Sequence, residues 1–386
     1  MVIKYLFVVM FVFLQFGCGG DNDEGASLND EGSSLSSQND ENYVTWEVTF
    51  GDDDADEGNS VIALDDSTYI VAGYAYSEAN LSTDVAVLLI NEQGDLVWEK
   101  TYGGDGIDKG HSIRQTSDGG FIITGETWSF GAGANDVYLL KLDSEGNMLW
   151  DNHFGGGAND EGYSVEETID GGFIVAGTTG SFGSRYQYYL IKTDSQGDLE
   201  WEKTFSGYFN QFGECVIETN DGGYVISGYG PLIKVDSDGN IVWETPFDGS
   251  ARCVVPTSDG GYIVTGDDDI AAYIAKYDSN GSLLWDNTFG GGSYVTGSSI
   301  QETDNGDYII CGSGDPFSPD TKLFIVKINQ DGNLLWEKTY GEYATYGNEV
   351  AQTDDGGYVA VGRSSLSPGP EGDIYLIKTD PDGNIE

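Results

Sequence analysis

The chain has 386 residues, 66 acidic against 16 basic side chains, and a formal charge of −50. A field of that sign and size repels nucleic acid and anionic membrane surfaces, which excludes both as partners and turns attention to calcium or a cationic protein. An acidic surface that stays soluble in a salty habitat accounts for the same composition.

Residues 1–17 place one cation, Lys4, before an apolar run from Tyr5 to Phe16. That run is too short to cross a ~30 Å hydrocarbon core as a helix, but it fits the apolar region of a secretory signal peptide. Gly17, Cys18 and Gly19 follow. They resemble a lipoprotein cleavage site with Cys18 as the lipidated residue, although Gln15 stands where that motif prefers leucine. Residues 19–43 hold seven acids and no lysine or arginine. Such a segment buries too little apolar surface to order itself, and as a flexible tether it reaches about 25–30 Å. Asp21, Asp23 and Glu24 resemble the export signal of surface lipoproteins in the Bacteroidota-like lineage. The expected address is the outer membrane, surface-exposed, touching the membrane only through the lipid anchor. A periplasmic or secreted protein is the alternative.

From residue 44 to residue 386 a tryptophan recurs at 46, 98, 150, 201, 243, 285 and 336, spaced 52, 52, 51, 42, 42 and 51 residues apart. A unit of this length cannot bury its own apolar faces and must stack on its neighbours. Each unit carries four short apolar runs rich in Val, Ile, Tyr and Phe, separated by glycine and aspartate, which predicts strands; no stretch after residue 18 keeps a helical period. The Asp-Gly pairs starting at Asp118, Asp170, Asp221, Asp259 and Asp355 predict type I′ hairpin turns between the first two strands. An Asp/Asn-x-x-Gly turn, as at Asp143–Gly146, joins the third strand to the fourth. The predicted fold is all-β: a seven-bladed β-propeller of four-stranded antiparallel blades. The chain opens on a fourth strand (44–50) and ends on a third, so the N-terminal strand is expected to complete the last blade and close the ring. The domain division is 1–17 signal peptide, 18–43 lipidated cysteine and acidic tether, and 44–386 propeller, expected to be monomeric.

In every fourth strand an aromatic follows the tryptophan by four residues, so the two share one face of the strand. Trp46, Trp98, Trp150, Trp201, Trp243, Trp285 and Trp336 are read as docking residues against the neighbouring blade. The run from Lys192 to Trp201 resembles the tryptophan-docking motif of quinoprotein-like (PQQ-like) propellers, with a turn one residue shorter and seven units where that family commonly has eight. The resemblance implies architecture. The quinone-binding residues of that family have no counterpart here, so it implies no cofactor. The whole pattern also resembles repeat propellers on bacterial and archaeal surfaces.

The two short turns of each unit fall on one face of the disc, and the long variable connections fall on the other, where binding is expected. Arg252 with Asp267, Asp268 and Asp269, beside the two shortened units, and the loop residues Asp105, Asp108, Asp136 and Asp160 are the candidate ligand contacts. The acid run Asp52, Asp53, Asp54 and Asp56 is the candidate calcium site. Gln115, Glu167, Glu218, Glu302 and Gln352 occupy one column of the first strand and are expected to bond neighbouring backbone. No nucleophile elbow, phosphate loop or metal helix is present, and with 66 acids no catalytic carboxylate pair stands out. The leading functional expectation is a non-enzymatic, lipid-anchored binding or scaffold protein of the cell envelope, presenting its loop-rich face to a protein or glycan. An envelope or outer-membrane assembly factor and a carbohydrate-active enzyme using loop carboxylates are the alternatives.

Overall fold

The computed structural model describes residues 43–51, 55–77, 82–207, 209–247, 249–268, 271–290, 295–314, 320–342, 344–365 and 372–385. The signal segment, Cys18, the acidic tether up to residue 42, Asp52, Asp53, Asp54 and Asp269 lie outside them. The described residues form 28 strands and no helix. In the third unit Asp160–Glu167, Phe173–Thr179, Gln187–Thr193 and Leu199–Phe205 pair antiparallel in chain order, and the other units repeat this. Five sheets have four strands. The sixth has eight, because Tyr229 bridges Ser250 and joins the fourth unit to the fifth. These are the two units that the 42-residue tryptophan spacings shorten.

The first strand of the chain, Trp46–Phe50, pairs with the last, Asp373–Thr379, with Trp46 opposite Lys378 and Phe50 opposite Ile374. It thereby becomes the fourth strand of the sheet that also holds Thr345–Gln352 and Tyr358–Ser364.

The core lies between successive sheets rather than within any one. Ile70, Ala72, Val85 and Val87 of the first unit pack on Ile113, Phe121, Ile123, Tyr138 and Leu140 of the second. Val61, Val71 and Ala86 of the first unit pack in the same way on Val359, Val361, Ile374 and Leu376 of the seventh. Each large side chain fully buried there contributes about 1.5–3 kcal/mol, so no unit is stable without both neighbours.

The hairpins form where expected, but the turns are not type I′. That turn needs positive φ at both central residues, and Ser67 is the sole non-glycine with positive φ among the described residues. In the second unit Gly119 N donates to Thr116 O and Thr116 N to Gly120 O, with Gly119 at φ +82°. This is a three-residue loop in which an ordinary turn is followed by one left-handed residue. The aspartate serves as an acceptor instead: Asp118 Oδ1 takes the Thr116 hydroxyl at 2.6 Å and Gly120 N at 2.9 Å. Ser67 occupies the glycine's place in the first unit.

Each tryptophan docks on the glycine of the next unit's third-to-fourth turn. A Cβ on Gly94 would meet the Trp46 ring at 2.9 Å, and one on Gly197 would meet Trp150 at 2.7 Å. The same contact joins Trp98 to Gly146, Trp201 to Gly239, Trp243 to Gly281, Trp285 to Gly332 and Trp336 to Gly383. Two of the acids that follow tryptophan accept from third-strand tyrosines, Asp151 from Tyr138 at 3.3 Å and Glu202 from Tyr189. The third-strand lysines turn inward, buried, and pair with the hairpin aspartates: Lys141 with Asp118 at 3.0 Å, Lys234 with Asp221 at 2.7 Å and Lys276 with Asp259 at 2.6 Å.

Candidate ligand pocket at the meeting of the first strands

Each first strand is broken near its start by a β-bulge. The register slips between Gly58 and Ser60, Gly110 and Ser112, Gly162 and Ser164, Gly213 and Cys215, Ser250 and Cys253, Gly297 and Ser299, and Gly347 and Glu349. A bulge leaves one residue out of the ladder and re-aims its side chain. The residues so released are Asn59, His111, Tyr163, Glu214, Arg252, Ser298 and Asn348. All seven, with Phe212, line one pocket of about 420 Å³, within the size range of small-ligand sites.

The glycine in the second strand of each unit makes the bulge possible. A Cβ on Gly125 would lie 1.8 Å from Lys109 O, one on Gly177 1.9 Å from Glu161 O, and one on Gly362 1.8 Å from Tyr346 O. No side chain fits that approach. Behind the bulge, small side chains lace neighbouring first strands together. Ile113 N donates to Ser60 Oγ at 3.1 Å, Val216 N to Ser164 Oγ at 3.2 Å and Val254 N to Cys215 Sγ at 3.4 Å. Cys215, Cys253 and Cys311 are all free thiols.

The pocket is polar, with an aromatic wall. His111 stacks on Tyr163 with ring centroids 5.0 Å apart and planes 27° off parallel. The Tyr163 hydroxyl is committed to Glu161. Asn348 Nδ2 donates to Gly58 O at 2.9 Å and Glu57 Oε1 at 3.0 Å, and reaches Asn59 Oδ1 at 3.3 Å, linking the seventh unit to the first. Asn59 Nδ2 donates to Gly110 O at 2.8 Å. Arg252 pairs with Asp267 at 3.2 Å, and Ser250 Oγ donates to Glu214 at 3.1 Å. Burial pushes the Glu214 carboxyl above the ordinary range, against the pull of Arg252. Burial also lowers the His111 imidazole, against the opposing pull of Glu126 and Glu161. Deeper in, Arg114 pairs with Glu349 at 3.1 Å.

Of the residues singled out from sequence, Arg252 lines the pocket and Asp267 holds it. Asp268 Oδ1 accepts Ala271 N at 2.9 Å, within its own loop. Asp105 is exposed. Asp108, Asp136 and Asp160 are buried, at 0%, 1% and 0% exposure. They stand at strand starts away from the pocket. Asp56, the one described member of the acid run, is buried and accepts Tyr76 N at 2.9 Å. Among the described residues no group of three or more His, Cys, Asp or Glu side chains gathers to hold a metal. The column of first-strand acids and amides bonds the preceding unit's turn: Glu167 takes Ser117 N at 2.6 Å, Glu218 takes Ile169 N at 2.8 Å and Glu302 takes Ser258 N at 2.7 Å. The pocket residues other than Arg252 escaped the sequence reading. Their signal was a single varying position between a repeated glycine and a repeated Ser or Cys.

The family described as outer membrane protein assembly factor BamB matches residues 193–367. Solved structures add likeness in fold. The extracellular domain of a one-component system from B. thetaiotaomicron superposes with a TM-score of 0.54 at 10% identity, over 87% of this chain and 42% of that one. Sqt1 from Chaetomium thermophilum gives 0.51 at 10% identity, over 87% and 92%. The extracellular domain of a hybrid two-component system from B. thetaiotaomicron gives 0.50 at 11% identity, over 85% and 39%. No curated protein matches the chain. Repeated four-stranded sheets and tryptophans docked on turn glycines give the chain a propeller-like all-β fold, and over residues 193–367 it is similar to the PQQ-like family.

Proposed function

We propose that the chain is a non-enzymatic binding propeller of the cell envelope. In this reading seven blades form a ring whose seam residues 44–50 close, and Cys18 carries the lipid that anchors it to the outer membrane through the acidic tether. The ligand, a glycan, sits in the central pocket on the loop-rich face. One observation carries this reading: seven different side chains, one from each unit, are released from the ladder at the same repeat position and meet at a single pocket. Scaffold positions repeat their chemistry, whereas this one does not. Two amides, a serine, a carboxylate and a guanidinium suit a polyhydroxylated ligand, and the His111–Tyr163 stack offers a flat face for a sugar ring.

Calorimetric titration of oligosaccharides into the native protein and into Tyr163→Ala and His111→Ala tests this. Binding should fall at least tenfold in both variants while their melting temperatures stay near native. No binding by the native protein, or equal binding by the variants, contradicts it. The match to the assembly-factor family favours a second reading, in which the same face docks on outer-membrane barrel machinery. Recovery of that machinery by crosslinking from intact cells, with no glycan binding, would favour it. Glycan turnover lost in Glu214→Gln would replace both with a carbohydrate-active enzyme, since a buried carboxyl of raised pKa can act as a general acid.

A further inference from the structure

Two neighbouring units differ from the rest at the position just after the bulge. Ser60, Ser112, Ser164 and Ser299 stand there in the first, second, third and sixth units and Glu349 in the seventh, whereas the fourth and fifth carry Cys215 and Cys253. The position has a structural duty. Its side-chain oxygen accepts an amide of the next unit's first strand, as Ser60 Oγ does from Ile113 N at 3.1 Å, Ser164 Oγ from Val216 N at 3.2 Å and Glu349 Oε2 from Val61 N at 2.9 Å. Sulfur is a weak acceptor. Cys215 Sγ takes Val254 N at 3.4 Å, and Cys253 Sγ lies 3.8 Å from Ile300 O, a contact it makes only as a donor. A hydroxyl would serve better in both places, so the two sulfurs call for another explanation.

The fold puts those sulfurs together. Both side chains pack in one cluster between the fourth and fifth units, with Ile217, Val225, Val254 and Val264. The two thiols are within hydrogen-bonding reach of each other. Cys215 Sγ is 3.4 Å from the amide nitrogen that follows Cys253, which places it within about 6 Å of the Cys253 Cα. Tyr229 bridges Ser250 at the same boundary and draws the two units closer. Contact with Cys253 first, and the Val254 amide with it, hold the Cys215 thiol below its usual value against the effect of burial. Cys215 is buried and Cys253 only partly so. Cys311 is an internal control: it packs among Ile309, Leu323 and Tyr358 at another boundary, and burial pushes its thiol up.

We propose that Cys215 and Cys253 form a disulfide that staples the fourth unit to the fifth. Sulfurs already in contact reach the ~2.05 Å bond length by side-chain rotation. The oxidant is a disulfide-bearing compound of the thiol-exchange class, which an exported protein meets. The reachable Cys253 sulfur, as thiolate, attacks one sulfur of that oxidant and expels the other as a thiolate. The Cys215 thiolate then displaces the second from the mixed disulfide. Two protein thiols give up two protons and two electrons, and the oxidant's disulfide becomes two thiols. The loop so closed holds the second, third and fourth strands of the fourth unit, and closing it restricts the unfolded chain. This inference is independent of the ligand assigned to the central pocket.

Incubation of the purified chain with oxidised glutathione, followed by alkylation of the remaining thiols in denaturant and peptide mass mapping, tests it. A linked pair of peptides holding Cys215 and Cys253 is expected. It should vanish in Cys215→Ser and persist in Cys311→Ala. Thermal melts in parallel read the staple: oxidised native protein should melt above reduced native protein, and Cys215→Ser should melt at one temperature in both buffers. Serine at that position restores the oxygen acceptor that Ser164 provides, so loss of the bond is separated from loss of the fold. Alkylation of both cysteines after oxidation overturns the proposal, as does capture of each as a separate glutathione adduct. So does a linked pair that leaves the melting temperature unchanged, since that bond would staple nothing.

Discussion

The two ends of each four-stranded unit are built on opposite plans. On the turn-bearing face every unit does the same thing: a tryptophan lies on the next unit's glycine, and most third-strand lysines pair with a hairpin aspartate. On the loop-bearing side the units vary. The bulge releases Asn, His, Tyr, Glu, Arg, Ser and Asn in turn. Repetition marks the groups that hold the units together. Variation at a fixed backbone position marks groups free to recognise something.

Breaking the bulge should do the most damage. Gly125→Val places a side chain 1.8 Å or less from the Lys109 carbonyl on the paired first strand, so the first two strands of the second unit must move apart. A loss of about 3 kcal/mol or more in denaturant unfolding is expected. Trp150→Ala comes next. The indole is half-buried on Gly197 and edges onto Phe173 with centroids 5.8 Å apart, so its loss should cost about 2–3 kcal/mol, below the range for a fully buried tryptophan. Gly197→Ala should cost about 1–2 kcal/mol, since φ there is +80° and the new methyl meets the ring.

The hairpin aspartates give a pH signature. Hydrogen bonds from Thr116 hold the Asp118 carboxyl at about 2, and those from Lys234 and Lys276 hold Asp221 and Asp259 at about 2. Because these values lie below the ordinary value of about 3.9, the groups stabilise the fold above that pH and the contribution is lost as pH falls toward 2. Melting temperature should hold from pH 7 to about pH 5 and drop between pH 4 and pH 2. Lys234→Met should flatten that drop. The smallest stability effect belongs to the pocket: Tyr163→Ala should change unfolding free energy by about 1 kcal/mol or less while removing ligand binding.

Much of the turn-bearing face could be read from sequence, because repetition is itself the signal. The tryptophans, the acids after them and the inward lysines each recur at one position, and a recurring side chain needs a recurring partner. The turn type was missed because Asp-Gly suits two hairpin turns, and choosing between them depends on one residue more of loop. The pocket was missed because a bulge is written in two places at once. The glycine that admits it lies in the second strand, opposite the bulge, and by itself reads as an ordinary strand glycine. Asp108, Asp136 and Asp160 sit beside glycine-rich loops and so read as surface, yet the hydroxyls of Ser129 and Thr179 and nearby backbone amides draw two of them inside.

The account depends most on the first and last units meeting so that all seven released side chains share one pocket. Asn59 and Asn348, 289 residues apart, hydrogen-bond at 3.3 Å across that seam. Replacing both with cysteine in a Cys253→Ser background and treating the native-state protein with a short thiol-to-thiol crosslinker tests the contact directly, because Cys215 and Cys311 are buried whereas Cys253 is only partly so. Efficient intramolecular linkage between positions 59 and 348, mapped by peptide mass, is the expected result. Two cysteines that react singly and never link to each other would contradict it.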